Sequence, residues 1–175
     1  GGCHGANRMG GNAIMAAQVF GKLSAEAAVS FAKREGGIPE ITDQACLNAI
    51  ENACRFSQTR WEMPPESAMK IVQKTVQKAA FLERTEEKLD EGISVLEDLR
   101  KDFCPMAFLN TPQAAYAFSA ENAICSALLM LTAMRERRET RGAHLRLDYP
   151  EKRDDSMRYV TFDPAGKVVF GSVEA

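Results

Sequence analysis

Residues 4–14, His4-Gly5-Ala6-Asn7-Arg8-Met9-Gly10-Gly11-Asn12-Ala13-Ile14, set flexible backbone and one arginine directly ahead of a long helical pattern. The unpaired amides of a helix's first turn carry partial positive charge, so an anion placed there gains about 0.3–1 kcal/mol from the helix dipole. Glycines let a ligand approach the backbone. An arginine beside them offers a planar fork of donors that grips a carboxylate through two parallel hydrogen bonds, which lysine cannot imitate. A glycine-rich turn before a helix more often serves as a cap and a packing device, so the pattern describes an anion site without naming the anion.

A second dense polar segment contains Arg138, Arg141, His144 and Arg146, with Asp148 and Asp154-Asp155. Its plain reading is a set of cations at a helix end followed by a solvated charged loop. A lone His144 is more often a hydrogen-bonded structural residue than a catalyst. Glu139 and Asp148 are candidate partners for these arginines, though exposed pairs contribute only about 0–1 kcal/mol. Five cysteines form no CxxC pair and the two histidines, His4 and His144, lie far apart, so no zinc-ligand spacing exists and no metal is expected.

Helices must position both segments. Asn12 is a candidate cap for a helix running to Arg34, which Gly36-Gly37 and Pro39 end. Its small residues, Ala13, Ala17, Gly21, Ala25, Ala28 and Ala32, recur on one side with Phe20, Leu23 and Phe31 on the flank, a pattern that predicts burial on more than one side. Thr42 or Asp43 opens a second helix to about Gln58, with Cys46, Ile50 and Cys54 on one stripe expected in the core. After Pro64-Pro65 a third helix carries Ile71, Val72 and Val76, and a fourth begins near Thr85 with an acidic first turn and ends by Pro105. A fifth spans about Thr111 to Glu139, with Ile124, Leu128, Leu131 and Met134 at helical spacing. Short β-prone runs, Arg158 to Phe162 and Lys167 to Phe170, flank Asp163-Pro164-Ala165-Gly166 and predict a hairpin. The expected fold is mainly α: an antiparallel helical bundle of three or more helices with a small C-terminal β-hairpin.

With 22 basic against 24 acidic residues and a net charge of -2, the chain has no global attraction for nucleic acid or anionic membranes. Its most apolar stretch, Ile124 to Met134, is about half of the roughly 20 residues of a membrane span, so no direct span is expected. An odd cysteine count suits thiols in a reducing compartment, which points to the cytoplasm. The opening at Gly1, without methionine or a leader pattern, reads as a piece of something longer.

Residues 4–13 are similar to the HGANR-[LM]-x-x-N-[SA] signature that closes the FAD domain in fumarate reductases, succinate dehydrogenases and the related L-aspartate oxidases. Arg138-Glu139-Thr140-Arg141-Gly142-Ala143-His144-Leu145-Arg146-Leu147-Asp148-Tyr149-Pro150 resembles the R-E-S-R-G-x-H-x-R-x-D-[YF]-P of the same family's C-terminal domain. Between them Arg84-Thr85-Glu86-Glu87-Lys88-Leu89 resembles its R-T-E-E-x-L helix start.

The resemblance implies that Arg8, with His4, binds a carboxylate of a dicarboxylate substrate. Gly11, Asn12, Ala13 and Ile14 would meet FAD, the backbone amides of Ala13 and Ile14 facing the pyrimidine end of its ring. Ala13-Ile14 stand where many members have Ser-Leu. It further implies that residues 1–35 end an FAD-binding domain, 36–140 form a helical C-terminal domain and 141–175 a charged loop and hairpin that packs towards the FAD domain. The N-terminal FAD and capping domains would be supplied elsewhere, and FAD is not expected on this chain alone. The implied activity is fumarate–succinate interconversion. Alternatives are an L-aspartate oxidase-type fragment, or a helical assembly module docking an iron-sulfur or cytochrome subunit at the inner face of a membrane.

Overall fold

The computed structural model describes residues 10–36, 41–54, 63–103, 111–153, 158–163 and 168–172. The chain divides into two compact units, Gly1–Ile50 and Glu51–Ala175.

In the first unit α1 spans Gly10–Glu35 and stops at Gly36, whose φ of 75° is a left-handed conformation that ends a helix without a Cβ penalty. The helix starts at Gly10, so Asn12 lies inside its first turn and is not the cap. No residue of α1 is buried, and Phe20, Leu23 and Phe31 are exposed. The expected burial on more than one side is therefore not supplied among the described residues. Helix α2, Asp43–Cys54, is capped by Thr42, whose Oγ1 accepts from the Ala45 amide at 3.3 Å. Its Cys46 and Ile50 are exposed rather than core residues. That stripe, too, needs a surface the described residues do not provide.

The second unit is a three-helix bundle of α3 (Pro65–Ala79), α4 (Glu86–Asp102) and α5 (Thr111–Glu136). Pro65 at the first helical position starts α3, since its missing N–H is one the helix would leave unpaired anyway. Thr85 caps α4 by accepting from the Lys88 amide at 3.3 Å, and Glu86 and Glu87 follow in the first turn, as the sequence predicts. Buried positions recur at helical spacing, mostly three, four or seven apart: Ala68, Val72 and Ala79 on α3; Leu89, Ile93, Leu96 and Leu99 on α4; Ala117, Ala120, Ile124, Ala127, Leu128 and Leu131 on α5. This spacing keeps one stripe of each helix on a common core. Alanines on α5 let the helices approach closely, and Gly92 takes this furthest. A Cβ there would lie 2.8 Å from that of Ala79 and 3.0 Å from Leu131 Cδ1.

Within Ala114–Glu136 of α5 an 18-residue window has a mean hydropathy of 1.4, long and apolar enough to cross a membrane by length and composition alone. The sequence reading, which expected no direct span, rested on the shorter apolar run Ile124 to Met134. Isolated polar residues such as Ser119 and Glu121 precede that run without lowering the average far. In the bundle this helix packs on α3 and α4 and spends its apolar stripe on their core.

Two short sheets complete the unit. Strand β1 (Glu83–Arg84) pairs in parallel with β2 (Leu145–Arg146), which the sequence did not reveal. Strands β3 (Arg158–Phe162) and β4 (Val168–Ser172) form the expected antiparallel hairpin, Phe162 opposite Val168. Its turn, 164–167, lies outside the described residues, as does Pro105.

Candidate functional site

Of the residues expected to bind ligands, His4 and Arg8 lie outside the described residues. Gly11, Asn12, Ala13 and Ile14 all fall in the first turns of α1. The first turn carries no acidic residue, and a Cβ on Gly10 or Gly11 would meet no atom within 4 Å. Among the described residues, backbone donors with no acidic residue beside them suit a group that gains negative charge.

The arginine-rich segment is built differently from a solvated loop. The chain leaves α5, turns back along β2 and brings Arg146 under the end of the helix it has just left. The Arg146 side chain is fully buried. Its Nη1 donates to the carbonyls of Met134 (2.9 Å), Arg135 (3.0 Å) and Arg137 (3.3 Å), satisfying acceptors that a helix C-terminus leaves open. Nε and Nη2 donate to the two carboxylate oxygens of Asp148 at 2.8 and 2.7 Å, the bidentate pairing that only arginine makes. Asp148 Oδ2 also accepts from the Glu86 amide at 2.7 Å, at the N-terminus of α4. One guanidinium and one carboxylate thus clasp the negative end of α5 to the positive end of α4.

Neighbouring groups close around this clasp. Tyr149 stacks on the Arg146 guanidinium at 4.8 Å and donates from its hydroxyl to Glu86 Oε2 at 2.9 Å, while Arg138 Nη2 donates to Glu86 Oε1 at 2.9 Å. Arg84 caps α3 through the Ala80 carbonyl and donates to the Ala143 carbonyl. The hydrogen bond from Arg146 holds the Asp148 carboxyl down to about 2. Asp148 therefore stabilises the fold above the ordinary carboxylate value, and that contribution is lost as the pH falls towards about 2.

Glu139 is also fully buried, contrary to the expectation of weak exposed pairs. Its carboxylate accepts from Arg141 Nε (2.9 and 3.0 Å), Arg137 Nη1 (2.8 Å) and the Arg153 amide (3.1 Å). Burial pushes this carboxyl up, but the bonds from Arg141, the Arg153 amide and Arg137 outweigh it and leave it below the usual range. Arg141 hence serves the internal packing of this unit, whereas the sequence placed it in a surface turned towards another domain. Arg141→Ala is expected to destabilise the 175-residue chain by about 1.5–3 kcal/mol, because a buried carboxylate loses a charged donor. Urea unfolding measures this, and an unchanged midpoint would return Arg141 to an external surface.

Burial of Arg146 and Glu139 escaped the sequence because charged residues after a helix ordinarily face water. One signal was available: Arg146 and Asp148 are two apart in an extended segment, which puts both side chains on one face.

Among solved structures, the fold is shared with reductases acting on different substrates. An Escherichia coli quinol fumarate reductase superposes with a TM-score of 0.85 at 23% identity, covering 97% of this chain and 31% of the other. Adenylylsulfate reductase from Archaeoglobus fulgidus does so with a TM-score of 0.72 at 22% identity, covering 89% and 28%. These likenesses show a shared fold. The chain belongs to the fumarate reductase flavoprotein C-terminal family, whose model matches residues 69–168. Along the sequence it is 33% identical over 178 residues to the succinate dehydrogenase flavoprotein subunit of Rickettsia conorii, covering 95% of this chain and 29% of that subunit. The chain thus spans only 29% of that relative's length.

Proposed function

We propose that this chain is the C-terminal portion of an FAD-dependent oxidoreductase that interconverts fumarate and succinate. In this proposal residues 1–35 complete the FAD-binding domain, 36–140 are the helical domain, and 141–175 are the charged loop and hairpin. What carries it is the co-occurrence in one chain of the family match over 69–168 and the glycine–arginine opening of residues 4–14. Bound FAD supplies hydride transfer, chemistry that no side chain offers. The chain's part is to bind and polarise. First-turn amides at Gly11, Asn12 and Ala13, with Ile14 beside them, favour negative charge on the group they face, which lowers the cost of reducing it. Arg8 and His4 hold a substrate carboxylate and so orient the carbon that exchanges hydride.

The partners in this proposal are N-terminal FAD and capping domains and an iron-sulfur or cytochrome subunit, with the assembly on the cytoplasmic face of a membrane. The exposed apolar side chains of α1, Ile14, Phe20 and Leu23 among them, support a further domain packing on that helix. Since the helical domain also occurs in an adenylylsulfate reductase fold, dicarboxylate choice rests on residues 4–14 and on the capping domain.

Arg8→Lys in the longer flavoprotein tests the assignment. Lysine keeps the charge but loses the fork, so kcat/KM for fumarate or succinate is expected to fall on the order of 100-fold with flavin content unchanged. Wild-type kcat/KM at matched flavin content would remove Arg8 from the substrate site.

A further inference from the structure

The loop that carries Arg146 holds one group that titrates near neutrality, and its surroundings are unusual for an imidazole. His144 is half-buried, and its Nε2 lies 3.1 Å from the Arg137 carbonyl, one residue beyond α5. A carbonyl only accepts, so Nε2 carries the hydrogen and the neutral ring has its lone pair on Nδ1. The same carbonyl accepts from Arg146 Nη1. The backbone fastens the turn at its base: the Arg141 amide donates to the His144 carbonyl at 2.9 Å, the His144 amide donates to that of Arg141 at 3.0 Å, and Gly142 makes the bend with φ 59°.

The charged groups that face the imidazole are cationic on every side from which the chain returns: Arg84 from β1, Arg137 from the segment after α5 and Arg146 from β2. The three carboxylates of the surrounding network offer no relief: Glu86 is held by Tyr149 and Arg138. Glu139 is gripped by Arg137 and Arg141, and Asp148 by Arg146. All three stay ionised throughout the range in which an imidazole titrates, so none gains charge as His144 does.

We propose that residues 137–147 form a pH-sensitive latch at the clasped end of the bundle, fastened while His144 is neutral and loosened when His144 gains a proton among Arg84, Arg137 and Arg146. Burial and these arginines lower the affinity of the folded chain for that proton, and the bond to Arg137 offsets part of the effect. Unfolded, His144 takes up its proton at the ordinary value of 6.5. The unfolded or opened loop thus binds more protons below that pH. Stability of the latch is complete above it and declines as the pH falls.

The test uses the whole 175-residue chain, whose only other histidine is His4. Imidazole resonances, assigned with His144→Gln, are titrated by NMR, and the His144 midpoint is expected below the ordinary value. Hydrogen-exchange protection is then compared at about pH 7.5 and about pH 5, after correction for intrinsic rates. The amides of His144 and Leu147, which donate to Arg141 and Arg84, should lose protection severalfold, while that of Leu131 in the core of α5 keeps its own. Glutamine retains a donor for the Arg137 carbonyl without titrating, so His144→Gln should hold its protection across the same range. A His144 midpoint at or above the ordinary value, or a loss of protection in His144→Gln parallel to the wild type, would overturn the latch. If the variant does not fold, the wild-type midpoint decides alone.

Discussion

Arg146→Met is expected to destabilise the chain by about 3–5 kcal/mol, because it strips one partner from a buried ion pair and strands the other. Asp148 would keep only backbone amides, that of Glu86 and its own, and the carbonyls of Met134, Arg135 and Arg137 would lose a shared donor in a place water does not reach. In a chain of this size such a loss lowers Tm by roughly 10 °C or more. Methionine is the fitting replacement, since it fills much of the volume of the arginine stem and isolates the loss of the fork. Arg146→Lys should fall between the two, keeping the charge and a donor for the helix end but not the bidentate grip on Asp148. Thermal and urea unfolding of the three proteins give the order. A Tm for Arg146→Met within about two degrees of wild type would show the clasp to be dispensable.

Gly92→Val is the second large effect, expected at about 3 kcal/mol or more from overpacking. Helix propensity points the other way, since glycine inside a helix costs about 1 kcal/mol relative to alanine, and that conflict makes the position informative. The atom in the way is the Cβ of Ala79, fixed to the backbone of α3, with Leu131 Cδ1 beside it, so a larger residue cannot be accommodated by turning one flexible side chain. Helices α3 and α4 must separate. Gly92→Ala should therefore destabilise despite its better propensity, and Ala79→Gly should recover part of the loss in the double variant. Gly92→Ala with raised stability would show that the helices do not approach this closely.

How far the sequence alone reached depends on which forces it displays. Thr85 and the two glutamates after it announce α4 because a cap and a dipole act on residues adjacent in the chain. The spacing of Leu89, Ile93 and Leu96, or of Ile124, Leu128 and Leu131, is likewise a local record of one buried face. At α1 the same kind of record stated that a partner surface is required, but not whether these residues supply it. Among the described residues of its unit none covers it: Ile14, Phe20 and Leu23 remain exposed. The pairing of Glu83–Arg84 with Leu145–Arg146 joins residues about sixty positions apart, which no periodicity encodes. At residues 11–14 the presence of a helix was legible, though it begins at Gly10 rather than being capped by Asn12. The role of Arg141 was not, because its charge reads alike whether it faces water or the buried Glu139.

Helices ordinarily fray from their ends, where hydrogen bonds are fewest, and a bundle of three offers six such ends. The Arg146–Asp148 clasp removes two of them at a stroke by joining the last carbonyls of α5 to the first amide of α4, and Arg84 ties down the end of α3 beside them. Opening of the domain is thereby polarised. While His144 is neutral, opening starts at the opposite pole, where α4 stops at Asp102 and α5 begins at Thr111, and travels towards the arginines.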